Sequence, residues 1–198
     1  VSVEHLELVE ADERVLEHLA RDAVMARLIE RHGPYSWGLH PVFPSLVRAV
    51  VGQQLSNAVA RTMFARLREA TGIFPEGILE LGEEGLRRLG LARAKGRALV
   101  GIARAELGGE LAGLEELDDE QVAARLTALR GVGPWTAQMV LIFSLGRLDV
   151  WPTSDLGMVR QAERLYGLSS REAVVELGRR FAPYRSAAAH YLWSEGDA

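Results

Sequence analysis

Asp155 follows Pro152-Thr153-Ser154 and opens a run of apolar residues at helical spacing, so its carboxylate falls at or near a helix N-terminus. Two compatible roles suit it there. As an N-cap it accepts hydrogen bonds from the first amides of the helix. Because those amides and the helix dipole favour the ionised form, it is also a fixed negative charge that can orient or deprotonate a water. Upstream, Gly131-Val132-Gly133-Pro134 leads into the apolar run from Trp135 to Ser144. Glycine admits positive φ and lets a turn press close to a partner. Pro134 suits the first helical position, where a missing N–H costs nothing. The amides that follow have no carbonyl one turn earlier, and such a helix start attracts anions, phosphate among them. The alternative reading is an ordinary turn between two packed helices.

These groups need elements to position them. Asp118 and Gln121 read as a capping box that opens a helix through about Leu129. The unit is thus helix, glycine-rich hairpin, helix, with Arg130 beside the turn. A helix from Trp135 to about Ser144 is about 15 Å long. The loop from Gly146 to Ser154 can return along it, so Trp135 and Asp155 can face one pocket, with Asp149 as a structural carboxylate in mid-loop. The remaining chain is helical throughout. The first helix is expected over Asp12 to Arg31, ended by Gly33-Pro34, and a loop carrying Trp37 follows. A strongly apolar helix from Val42 to Gln53 ends in the polar turn Gly52-Gln53-Gln54. Ser56 caps the next helix, which runs to Thr71-Gly72 with Val59, Met63, Phe64 and Leu67 inward. Short helices at Glu76–Leu81 and Glu83–Leu89 precede one from Arg93 to Gly108-Gly109. After Asp155 come helices to Tyr166, from Ser169 to Phe181, and a last one opened by Pro183. No segment alternates with period two over strand length, so the fold class is all-α.

Composition narrows the function. A chain of 198 residues is one large domain or two small ones with a real core. No apolar stretch approaches about 18 residues, and no basic-then-apolar leader follows Val1. The absence of cysteine excludes disulfides, thiol chemistry and a cysteine-ligated iron–sulfur cluster. The histidines His5, His18, His32, His40 and His190 lack metal-ligand spacing and read as surface or capping groups. These features describe a soluble, cytoplasmic protein. A net charge of −4 is unlike a general nucleic-acid coat. Basic residues nevertheless concentrate at Arg87, Arg88, Arg93, Lys95, Arg97 and Arg104, with no acid from Gly85 to Ala105. That strip is either a localised binding surface or a solvated helix face.

Leu129-Arg-Gly-Val-Gly-Pro-Trp-Thr-Ala137, followed by Pro152-Thr-Ser-Asp155, resembles the helix-hairpin-helix DNA glycosylase superfamily, and within it the 3-methyladenine DNA glycosylase II branch. The likeness extends from about Pro41 onward. It implies an all-α fold of two helical lobes, residues 1–40 with 155–198 and residues 41–154, and an active-site cleft between them. It implies a nucleoid-associated, monomeric enzyme that acts on damaged double-stranded DNA and removes alkylated purines. Asp155 takes the catalytic position, favouring a cation-like sugar C1′ and the attacking water. Trp135 and Tyr184 become base-pocket aromatics, since a cationic purine over an aromatic face gains about 0.5–2 kcal/mol. Trp37, Trp151 and Trp193 are expected to serve packing. Superfamily members that also nick the strand carry a lysine where Trp135 stands, so the resemblance implies base release without strand cleavage. Arg130, Gly131, Val132, Gly133 and Thr136 would hold DNA phosphate. Gln53 and Gln54 match the gap-filling segment, and Leu91 or Arg93 the wedge that enters when a base is flipped. No cofactor is implied beyond a structural Na+ or K+ on backbone carbonyls of Thr127, Leu129 and Val132. Other lesion bases, or a non-catalytic DNA-binding module, are the competing readings.

Overall fold

The computed structural model describes residues 7–196, and His5 lies outside them. The chain divides into two compact units. A terminal unit joins the chain up to Leu39 with Leu141 onward, and a central unit spans His40–Val140.

The terminal unit contains β1 (Leu8–Glu10), α1 (Glu13–Leu19), α2 (Ala23–His32) and β2 (Ser36–Gly38). After the central unit it continues with α9 (Leu156–Tyr166), α10 (Arg171–Arg179) and α11 (Arg185–Gly196). Its core is built from Leu19, Met25, Leu28, Met158, Val174, Phe181 and the small-residue run Ala187-Ala188-Ala189, all buried. Helix α11 packs on α2 and α9, and one carboxylate ties all three. Glu195 Oε1 accepts from Arg31 at 3.0 Å and from Arg164 at 3.2 Å. Its Oε2 lies 2.9 Å from His32 Nε2.

The central unit is α3 (Val42–Gly52), α4 (Asn57–Thr71), α5 (Pro75–Arg88), α6 (Arg93–Leu107) and α7 (Asp119–Thr127), followed by the start of α8 (Pro134–Phe143). Val50 and Val51 of α3, Leu67 of α4, Leu86 of α5 and Leu99 and Ile102 of α6 meet in its buried core. Helix α6 packs on both α3 and α5.

Most expected elements appear, with four corrections. The first helix is broken into α1 and α2, because the Asp22 carboxylate caps a new start by accepting from Val24 N–H at 2.9 Å and Met25 N–H at 3.2 Å. Tyr166 Oη donates to the same Asp22 oxygen at 2.9 Å and fixes the break. A short antiparallel ribbon pairs Leu8 with Gly38 and Glu10 with Ser36, too short to declare itself by alternation. In α4 only Leu67 of the four expected inward residues is fully buried, and Val59 is 48% exposed. The chain re-enters the terminal unit at Leu141, not at 155. The end of α8 already packs there, since the Trp37 indole donates to Ile142 O at 3.3 Å and Phe143 lies against Trp193.

Hydrogen bonding from His32, then from Arg164, holds the Glu195 carboxyl below its ordinary range. A carboxyl depressed on folding contributes stability that is present above about pH 4.3 and lost as pH falls through the lowered value. Glu195→Gln should therefore flatten the acid limb of a stability curve measured by urea unfolding from pH 7 downward. Parallel curves for the two proteins would contradict the assignment.

Candidate active site and nucleic-acid interface

In the terminal unit, the loop before Asp155 is pinned at several points. Ser186 Oγ donates to Arg147 O at 2.7 Å and accepts from Val150 N–H at 3.0 Å. Arg185 grips Asp149 with Nε–Oδ1 at 2.6 Å and Nη2–Oδ2 at 3.0 Å, a two-point contact that explains Asp149 as structural. The Trp151 indole donates to Val174 O at 2.9 Å, and Arg171 donates to Thr153 O at 2.9 Å. The pinned loop delivers Asp155 to the N-cap of α9. Its Oδ1 accepts from Met158 N–H at 2.7 Å and from the Trp193 indole N–H at 3.0 Å.

Two donors on one oxygen fix the direction of the half-buried carboxylate, so its charge points one way without rearrangement. Trp193 is itself seated on Phe143, with ring centroids 5.6 Å apart. Packing was the expected role of Trp37, Trp151 and Trp193. It describes Trp37, which stacks on Tyr35 and His190, and it describes Trp151, but the N–H of Trp193 belongs to the carboxylate. No local pattern could reveal that contact, because the partners stand 38 residues apart. Tyr184 also lies in this unit, half-buried, with His18 edge-on at 5.4 Å. Burial lowers the pKa of His190, which sits in the aromatic stack, where a surface or capping group was expected. Among the described residues no group of histidines and carboxylates could hold a metal ion.

In the central unit the Asp118–Gln121 capping box opens α7 as its sequence implies. After α7, Val132 N–H bonds Leu129 O at 3.1 Å, and the first helical bond of α8 is Ala137 N–H to Gly133 O at 3.1 Å. The two hairpin glycines have different reasons. Gly131 has φ of +86°, and a Cβ there would stand 2.5 Å from Ala98 Cβ, so the fold itself demands glycine. A Cβ on Gly133 would meet nothing within 4 Å, so no packing inside the unit demands glycine there. Arg130 is exposed beside them, Trp135 is half-buried, and Val132 is buried.

The side chains of Gln53 and Thr136 bond to each other inside the unit, whereas Gln53 was expected to offer its amide to a base edge. Gln53 Nε2 donates to Gly131 O at 3.0 Å and to Thr136 Oγ1 at 3.2 Å. The neighbouring Gln54 is exposed and takes φ of +59°, which makes it the outward residue of that turn. Leu91 is 3% exposed and lies under its loop, whereas Arg93 is exposed at the start of α6. Lys95 leaves the basic strip altogether, for its Nζ donates to Val51 O at 2.8 Å and Gln53 O at 2.7 Å. Burial pushes its pKa down. Arg87 pairs with Glu84 at 2.6 Å and Arg97 with Glu83 at 3.5 Å, so the strip is less basic than its sequence reads.

Comparison with known proteins agrees with this arrangement. The HhH-GPD superfamily of base excision DNA repair proteins matches residues 47–183. A DNA-3-methyladenine glycosylase 1 from Schizosaccharomyces pombe is 36% identical over 84% of this chain and 74% of its own. The structure of the S. pombe 3-methyladenine DNA glycosylase Mag1 in complex with abasic DNA matches with a TM-score of 0.85 and 32% identity, covering 93% of this chain and 97% of that one. A 3-methyladenine DNA glycosylase structure from Archaeoglobus fulgidus gives a TM-score of 0.84 at 32% identity, over 93% of this chain and 69% of that one. The chain belongs to the HhH-GPD superfamily of base excision DNA repair proteins.

The hairpin's dependence on Gly131 can be measured. Gly131→Ala should lower stability by about 1–3 kcal/mol in urea unfolding through overpacking and the left-handed φ. Adding Ala98→Gly should return only the steric share. Full recovery would show that φ costs nothing there, and no loss at all would contradict the contact.

Proposed function

We propose that this protein is a monofunctional DNA glycosylase of base excision repair that hydrolyses the N-glycosidic bond of alkylated purines of the 3-methyladenine and 7-methylguanine type. The observation that carries the reading is the doubly held Asp155 oxygen. Glycosidic cleavage develops positive charge at the sugar C1′, and a preorganised carboxylate lowers that barrier without having to reorient. The same group orients or deprotonates the water that completes hydrolysis. The relatives named for 3-methyladenine glycosylase activity support the substrate class.

The other residues take supporting parts. A base inside a duplex is out of reach of a protein carboxylate, so the nucleotide is flipped out at a cost of a few kcal/mol. The bare backbone of Gly133, with Gly131 and Arg130, grips phosphate without reading sequence. Gln54 and Arg93, the outward residues of their turns, enter the gap. Trp135 and Tyr184 are each candidates to meet a flipped base, and a cationic alkylpurine gains over normal bases on an aromatic face. Lys95, the chain's single lysine, has its ammonium bonded to two carbonyls, which supports base release by water instead of an amine nucleophile. The hairpin also suits a Na+ or K+ bound by backbone carbonyls of Thr127, Leu129 and Val132. Leu129 O already accepts from Val132 N–H at 3.1 Å, so an ion there would use its second lone pair. The enzyme is read as a cytoplasmic monomer; among the described residues no helix is long and apolar enough to cross a membrane.

Asp155→Asn should lower base release from methylated duplex by about 10²–10³ while abasic-duplex binding is kept. An unchanged rate would remove Asp155 from the chemistry, and absence of base release by the wild-type protein would leave only a DNA-binding module. Borohydride added during turnover should trap no covalent protein–DNA adduct, and efficient trapping would overturn the monofunctional reading.

A further inference from the structure

Three turns of the central unit are joined by two side chains that the chemistry does not otherwise use. Lys95 is the third residue of α6 and directly follows the Leu91–Ala94 segment. Its ammonium reaches the carbonyl end of α3 and donates to Val51 O and Gln53 O at 2.8 and 2.7 Å. A cation at a helix C-terminus satisfies terminal carbonyls and suits the dipole. Gln53 continues the connection, donating to Gly131 O and Thr136 Oγ1 in the hairpin at 3.0 and 3.2 Å. One helical turn beyond Lys95, Ala98 is the surface on which Gly131 rests. The start of α6, the Gln53-Gln54 turn and the hairpin are therefore registered to one another, with Gln53 bonded to both Lys95 and the hairpin.

We infer that Lys95, acting through Gln53, is a positioning residue for base extrusion: it sets the gap-entering residues Gln54 and Arg93 in register with the hairpin that holds the phosphates. The inference rests on the glycosylase reading given above. Its logic is geometric. Phosphate contacts alone bind any duplex. Extrusion needs the phosphate grip and the gap-filling residues to act at a fixed separation. Displacement of catalytic or positioning groups by about 1 Å can cost about 10²-fold in rate. Removing the tie should thus damage recognition of an opened site more than binding to intact duplex.

The test uses the full chain with Lys95→Met, Lys95→Arg, Gln53→Met and the double variant. Readouts are affinity for abasic and intact duplexes, the fluorescence rise of a 2-aminopurine placed beside the lesion, and melting temperature. Lys95→Met is expected to weaken abasic-duplex binding about tenfold, leave intact-duplex binding in place and lose the fluorescence rise. Lys95→Arg, which keeps charge and donors, should recover most of both signals. Gln53→Met should show the same pattern and should not add to Lys95→Met, because both act through one turn. A Lys95→Met protein with normal abasic preference and a normal fluorescence rise would overturn the inference. So would equal weakening toward both duplexes that follows a fallen melting temperature. If the wild-type protein neither releases bases nor prefers abasic duplex, the glycosylase reading itself fails, which is a separate result.

Discussion

The structure turns on a shared oxygen. Asp155 Oδ1 is held between the Met158 amide at the start of α9 and the Trp193 indole on α11. A carboxylate held by only one donor could swing to meet solvent; with two donors at an angle it has a fixed heading. Much of the terminal unit serves that arrangement. Ser186 and the Arg185–Asp149 pair anchor the incoming loop, the Trp151 indole pins it to α10, and Glu195 ties α11 to α2 and α9. Hydrogen bonds to a charged acceptor are the stronger kind, worth about 1.5–3 kcal/mol each, so the carboxylate and its supports stabilise one another.

The central unit is held together differently. Helix α6 is its reference element. Ala98 leaves just enough room for Gly131, and Lys95 receives the end of α3. Through Gln53 these two contacts fix the hairpin against the neighbouring turns. The protein carries a net charge of −4. Even its basic strip is partly neutralised by Glu83 and Glu84.

Local signals in the sequence were reliable, and long-range ones were hidden. The capping box at Asp118, the Ser56 cap, the Gly72 terminus and the Gly-x-Gly-Pro hairpin each act over a few residues, and each is where its pattern puts it. The Asp22 break is made by a cap on Val24 and Met25, but the apolar stripe continues across it, and the Tyr166 hydroxyl that also holds Asp22 comes from 144 residues away. Trp193 and Lys95 were invisible for the same reason. An indole at helical spacing looks like core, and a lysine in an arginine-rich stretch looks like surface, until the partner arrives from another element. Gln53-Gln54 shows the limit most clearly. The pair was legible as a site, yet only the fold divides it into an inward clamp and an outward residue.

Single-turnover base release by Trp193→Phe is the most direct measurement of the central claim, since that change keeps an aromatic ring beside Phe143 and removes the donor to Asp155. Loss of one charge-assisted hydrogen bond of about 1.5–3 kcal/mol corresponds to a fall of about 10–100-fold. The account requires that fall, with abasic-duplex affinity and melting temperature little changed. A Trp193→Phe enzyme that releases alkylated bases at the wild-type rate would contradict it.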